Sequence, residues 1–203
     1  MASRKEKEII FKEELIIDAA AKIFQENGFE AATMDKIAKE ADYTKPTLYK
    51  YFKNKKEIII GVYLKGWHDS LDKIYEAMEY ADNGLNKLAA AADAYFDFFL
   101  KNGVYFDLIS YMHSHNIKFE PKDYNRKTRY ENRKKQLKED FSAVFRLGIE
   151  DGTLCNEFSE EMATEYFLNN LYIAMFRVHS DENKNEEFLE ISKKMILRTF
   201  KKL

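Results

Sequence analysis

Apolar residues recur along this chain at helical rather than strand spacing. Ile16, Ala20, Ile23 and Phe24 share one helical face with charged residues between them. Asn27-Gly28 ends that helix, with the glycine suited to the left-handed position just past a helix C-terminus. Thr33 predicts the cap of a short second helix whose inward stripe is Met34, Ile37, Ala38 and Ala41, and Asp35 in its first turn complements the helix dipole. Asp42-Tyr43 is a tight turn. Thr44 caps a third helix, in which Pro46 falls in the first turn, where a missing N–H costs nothing, and Leu48 and Phe52 point inward. Lys53-Asn54 closes it, and Asn54 with Glu57 reads as a capping box opening a long fourth helix to about Tyr80.

Breaks at Asp82-Asn83-Gly84, Asn102-Gly103, 116–121, Asp151-Gly152 and 181–185 then divide further helices over about 85–100, 105–115, 123–148, 159–178 and 186–202. Asn-Gly is also a hairpin signal, but its flanks keep helical periodicity. The expectation is an all-α chain of about nine helices. Composition agrees: 2 Pro and 7 Gly in 203 residues are too few turn residues for an all-β chain, and 45% hydrophobic with 33% charged residues describes a globular protein. A single Cys excludes an internal disulfide and suits a reducing compartment. The first residues lack the apolar run of a signal peptide, and the longest apolar run, near 58–64, is too short to span a bilayer. A cytoplasmic protein without membrane association is expected.

Two short helices joined by a tight turn and braced by a longer one predict a helix-turn-helix, a unit that lays its second helix in the DNA major groove. With Leu48 and Phe52 inward, Lys45, Pro46, Thr47, Tyr49 and Lys50 face outward: cations for phosphate, a hydroxyl for base edges, apolar surface for a thymine methyl. The formal net charge is −2, which excludes a globally basic nucleic-acid coat, yet the stretch from Tyr43 to Lys56 holds Lys45, Lys50, Lys53, Lys55 and Lys56 and no acid. Lysines near phosphate release counterions, the main source of non-specific affinity, and Lys55 stands at the start of the fourth helix, whose free N–H groups also attract an anion.

The stretch from Ile9 to about Val62 resembles the DNA-binding domain of TetR-family (tetracycline-repressor-like) transcriptional regulators, through "AAAKIFQENGFEAATMDKIAKEA" and "TKPTLYKYFKNKKEII". The resemblance implies a helix-turn-helix DNA-binding domain over 1–62 and a helical ligand-binding and dimerisation domain over 63–203. It implies a homodimer on a palindromic double-stranded operator, whose recognition helices are spread or closed by a small molecule in the second domain. By position, Thr33 would bond a phosphate, Thr44, Lys45, Pro46, Thr47 and Lys50 would lie in the groove, Tyr49 and Lys55 would grip phosphates, and Tyr51 would reach the backbone. The turn departs from the family pattern, which commonly has Gly and a small aliphatic residue where this chain has Asp42 and Tyr43.

Beyond the fourth helix the chain is rich in aromatics, which suits a hydrophobic or aromatic small-molecule effector between helices. The lining expected is Trp67, Phe96, Phe99, Phe106, Met112, Phe145 and Tyr172. Apolar stripes carrying Met162, Tyr166, Ile173 and Phe176 on one of the last two helices, and Phe188, Ile191, Met195 and Phe200 on the other, predict pairing with a second copy. No cofactor or metal is expected: His113 and His115 point to opposite sides of one helix, and Cys155 has no basic neighbour in sequence. Phosphate-binding glycine loops, a nucleophile elbow and a helical His-Glu-x-x-His are absent, so an enzyme is not expected. The function expected is a ligand-responsive regulator, acting as a repressor. The alternative is a helical protein-binding adaptor without DNA activity, which leaves the lysine cluster unexplained.

Overall fold

The structure, a computed structural model, describes residues 4–118, 124–180 and 186–202. The loop expected over 181–185 lies outside the described residues, as do Phe119 and the end of the loop over 116–121. Nine helices are described: α1 (Arg4–Ala31), α2 (Met34–Glu40), α3 (Lys45–Tyr51), α4 (Lys55–Glu79), α5 (Gly84–Lys101), α6 (Gly103–Ser114), α7 (Tyr124–Glu150), α8 (Glu160–His179) and α9 (Glu186–Phe200). The only β pairing among the described residues is an isolated bridge between Leu154 and Lys201.

Packing divides the chain into two compact units. The first comprises residues 1–68 and 104–119, the second 69–103 and 120–203. The first therefore takes in α6 as well as the helix-turn-helix. Its core is Ile16, Ala20, Phe24, Ile37, Leu48, Phe52, Ile58 and Val62, with Leu108 of α6 buried among them. Burying a side chain of this kind stabilises by about 1.5–3 kcal/mol, so this cluster is what makes two seven-residue helices persist. Neither would be stable alone.

Local signals set the boundaries in this unit. Gly28, at φ 75° and ψ 166°, breaks the run of α1. The hydroxyls of Thr33 and Thr44 accept the backbone N–H of Lys36 and Thr47, capping α2 and α3. At the far end of α2, Tyr43 N–H reaches Ala38 O (2.8 Å) and Asp42 N–H reaches Lys39 O (3.2 Å), the paired bonds of a Schellman turn. Asp42 takes the left-handed conformation there, with φ 56°. Tyr43 lies half-buried against the core. At α4, Asn54 Oδ1 accepts Glu57 N–H (3.0 Å), and the buried Glu57 carboxylate reaches back to Lys53 N–H (2.7 Å).

In the second unit α5, α7, α8 and α9 pack on one another. Phe141, Phe145, Phe167 and Phe200 form an aromatic core of tilted and edge-on rings with centroids 4.9–6.3 Å apart. Phe200, expected on an intermolecular stripe, is buried in this core instead. The Asp151-Gly152 turn also caps α5: the Asp151 carboxylate accepts Gly84 N–H (2.8 Å), and Thr153 Oγ1 accepts Leu85 N–H (3.2 Å). Gly84 and Gly148 make that approach possible, since a Cβ on Gly84 would lie 2.3 Å from Gly148 Cα.

Candidate nucleic-acid interface

The outward surface of α2 and α3 follows from what their inward residues do. Leu48 and Phe52 are fully buried, so the helical period turns Lys45, Pro46, Tyr49 and Lys50 to solvent, and all four are exposed. Thr47 and Tyr51, between these faces, are half-buried. Thr44 and Thr47 share a hydroxyl–hydroxyl bond of 2.8 Å, which orders the first turn of α3. A shallow depression of about 480 Å³ lies where α2, the turn and α3 meet, bordered by Asp35, Lys39, Asp42, Thr44 and Lys45.

Lys45 and Lys55 have protein partners. Lys45 Nζ meets both carboxylate oxygens of Asp35, at 2.7 and 3.0 Å. That hydrogen bond and the adjacent negative charge hold the Lys45 ammonium to its proton above the usual lysine range. Lys55 is half-buried, and its ammonium donates to the backbone oxygens of Phe29 (2.6 Å), Ala32 (3.1 Å) and Glu30 (3.5 Å). It thereby holds the segment between Gly28 and α2, a different partner from the phosphate that the resemblance implies. The other side of this segment meets α6: the Phe29 ring packs on Tyr111 (4.7 Å), Tyr111 stacks on His115 (4.0 Å), and the Glu30 carboxylate accepts the Tyr111 hydroxyl (3.2 Å) and lies 3.0 Å from His115 Nε2. Sequence reasoning missed Asp35, Glu30 and Tyr111 as partners. The helix-turn-helix spacing, which returns α3 against the first turn of α2, could have pointed to Asp35; nothing local pointed to Tyr111.

The expected effector-lining residues divide between the two units. Trp67, Phe106 and Met112 belong to the first, where Phe106 is fully buried and Met112 packs on the helix-turn-helix core. Phe96, Phe99, Phe145 and Tyr172 belong to the second. There Phe96 and Phe99 are buried beside Tyr95, whose enclosed hydroxyl is pushed far above the usual tyrosine range by burial, while Tyr172 lies on an exposed face of α8. That face also exposes Met162 (63%), Tyr166, Ile173 (59%) and Phe176, and α9 exposes Phe188, Ile191 and Met195 (67%). Among the described residues, no group of three His, Cys, Asp or Glu side chains could hold a metal ion, and no helix is long and apolar enough to cross a membrane.

Residues 16–62 match the family model of bacterial regulatory proteins, tetR family. The chain is 32% identical over 83 residues to the HTH-type transcriptional activator FasR of Mycolicibacterium smegmatis, a match covering 41% of this chain and 38% of that protein. It is 33% identical over 81 residues to the fatty acid metabolism regulator protein of Bacillus subtilis, covering 40% of this chain and 42% of that one. The chain thus spans about two fifths of the length of these relatives, which are regulators rather than enzymes. The fold extends further. The crystal structure of a TetR/AcrR-family transcriptional regulator from Thermobifida fusca superposes with a TM-score of 0.74 over 94% of this chain and 98% of that one, at 18% identity.

Proposed function

We propose that this chain, whose residues 16–62 match the family model of bacterial regulatory proteins, tetR family, is a ligand-responsive transcriptional regulator that binds a palindromic operator as a homodimer. The observation that carries this reading is the exposed set Lys45, Pro46, Tyr49 and Lys50 on a helix anchored by the buried Leu48. Residues 1–62 act as the DNA-binding domain, with Thr33, Thr44, Thr47 and Tyr51 supporting the contacts, and 63–203 as the effector and dimerisation domain. The exposed apolar residues of α8 and α9 support a second copy as partner. Such an area is unfavourable in water, and a two-fold axis would let the patch be covered by its own copy. The aromatic interior of the second unit supports a hydrophobic effector, and the name of the Bacillus subtilis relative makes fatty acyl compounds the first class to try. Repression is the mode proposed, with the effector favouring a spacing of the recognition helices that fits the operator less well. The site of action is the cytoplasm.

Selection of bound sequences from a random DNA pool by the purified chain tests the reading. The expected product is a palindrome with half-sites about one helical turn apart, roughly 34–36 Å, and its binding weakens steeply as salt rises. No enrichment at low salt overturns the DNA reading in favour of a protein-binding adaptor.

A further inference from the structure

Asp35 is an acid on a surface that faces a polyanion in the function proposed above. Its carboxylate receives the Lys45 ammonium on both oxygens, at 2.7 and 3.0 Å. The pair links the first turn of α2 to the first residue of α3, and both side chains are more than half exposed. An ion pair this exposed adds little stability, so the fold does not require it. Against DNA phosphates a carboxylate is repulsive. Within the major groove it finds donors, because cytosine and adenine present amino groups there.

We infer that Asp35 and Lys45 together read one G·C base pair, with Lys45 donating to guanine and Asp35 accepting from the cytosine amino group; the inference rests on the operator-binding reading. Across the major groove a G·C pair presents two guanine acceptors, N7 and O6, and then the cytosine N4 donor. O6 and N4 are hydrogen-bonded to each other, so they lie about 2.9 Å apart. The separation of Lys45 Nζ and Asp35 Oδ1 is 2.7 Å. An ammonium over O6 and N7 with a carboxylate over N4 closes a ring of four polar groups without breaking the ion pair. An A·T pair presents a different order: the N7 acceptor, the N6 donor, the O4 acceptor and the methyl group. There a carboxylate over N6 also meets the N7 lone pair, and an ammonium over O4 abuts the methyl group. The ion pair therefore favours G·C, and it sets the direction of the pair as well, with guanine under α3 and cytosine under α2.

The test uses the full chain and a site selected from random DNA, each base pair of one half-site being replaced in turn. Wild type should show a G·C position at which replacement by A·T weakens binding about tenfold. At that position Asp35→Ala and Lys45→Ala should lose the discrimination and keep it elsewhere. Asp35→Asn should move the preference to A·T, because an amide pairs with adenine N6 and N7. If Asp35→Ala instead tightens binding to every sequence by one common factor, the carboxylate only repels phosphate and the inference is overturned. Discrimination equal to wild type overturns it too. Failure of the wild type to select any site overturns the operator-binding reading itself, and this inference with it.

Discussion

The α2–α3 surface and the α8–α9 surface are both exposed, and they expose opposite chemistry. On the first, four polar side chains already pair with one another: Thr44 bonds Thr47, and Lys45 bonds Asp35. A ligand there must exchange one set of polar contacts for another, so specificity and salt sensitivity are what such a surface offers. On the second, Met162, Ile173, Ile191 and Met195 hold apolar area in water, and burial is favourable wherever the shape fits. The difference divides the work. In the function proposed, the first surface would choose a sequence, while the second would set how many copies reach it. Two linked half-site contacts raise affinity well beyond what either gives alone.

Breaking the apolar surface should have the largest effect. Ile173→Asp places a charge on an exposed position, where the monomer tolerates it, and at the centre of the α8 stripe, where a dimer would bury it. A buried uncompensated charge costs a few kcal/mol, and a two-fold interface contains it twice. The expected loss is about 4 kcal/mol of dimer stability, near a thousandfold. Sedimentation should show monomers, with melting temperature little changed and palindrome binding reduced to that of a single half-site. A dimer as stable as wild type would place the interface elsewhere.

Lys55→Ala sharpens the polar side. In the structure this ammonium serves three carbonyl groups between Phe29 and Ala32 rather than standing free for phosphate. Its loss should cost about 1–3 kcal/mol of stability, the penalty for half-buried acceptors left unpaired, and leave the salt slope of DNA binding unchanged. A slope flatter by about one unit with unchanged melting would instead restore the phosphate role.

The two units also differ in how much of them could be read from sequence. Gly28, the Thr33 and Thr44 caps and the Asn54–Glu57 box act within four residues of themselves, so residue type and spacing suffice to find them. The outward set of α3 followed from two apolar positions. Three turns of α1 before Ile16 did not: Ile9, Ile10 and Phe11 are exposed, and a segment without a buried stripe lacks the periodic signal. In the second unit the determinants are remote in sequence. Gly84 reads as a helix breaker, whereas its use is contact with Gly148, and Asp151 reads as a turn residue, whereas it caps α5 from 67 positions away. Phe200 and Tyr172 show the same limit. An amphipathic stripe identifies the apolar positions of a helix, but whether they meet their own core or solvent depends on which helices lie beside them.

Asp151 gives the smallest and most specific test of such a remote determinant. Its carboxylate accepts the Thr153 hydroxyl (2.5 Å), Gly84 N–H (2.8 Å) and Thr153 N–H (2.9 Å). These bonds, the hydroxyl first, favour the ionised form and hold the group below the usual carboxylate range. A carboxylate lowered in the folded state stabilises fully above its unfolded value, about 3.9, and loses that contribution as pH falls through the folded value. The melting temperature of wild type should therefore exceed that of Asp151→Asn at about pH 6, and the gap should close as pH drops through about 4 towards 3. A gap that stays constant with pH would mean that the amide cannot fit the α5 cap for steric reasons, and that charge at Asp151 contributes nothing to joining the α7 end to the start of α5.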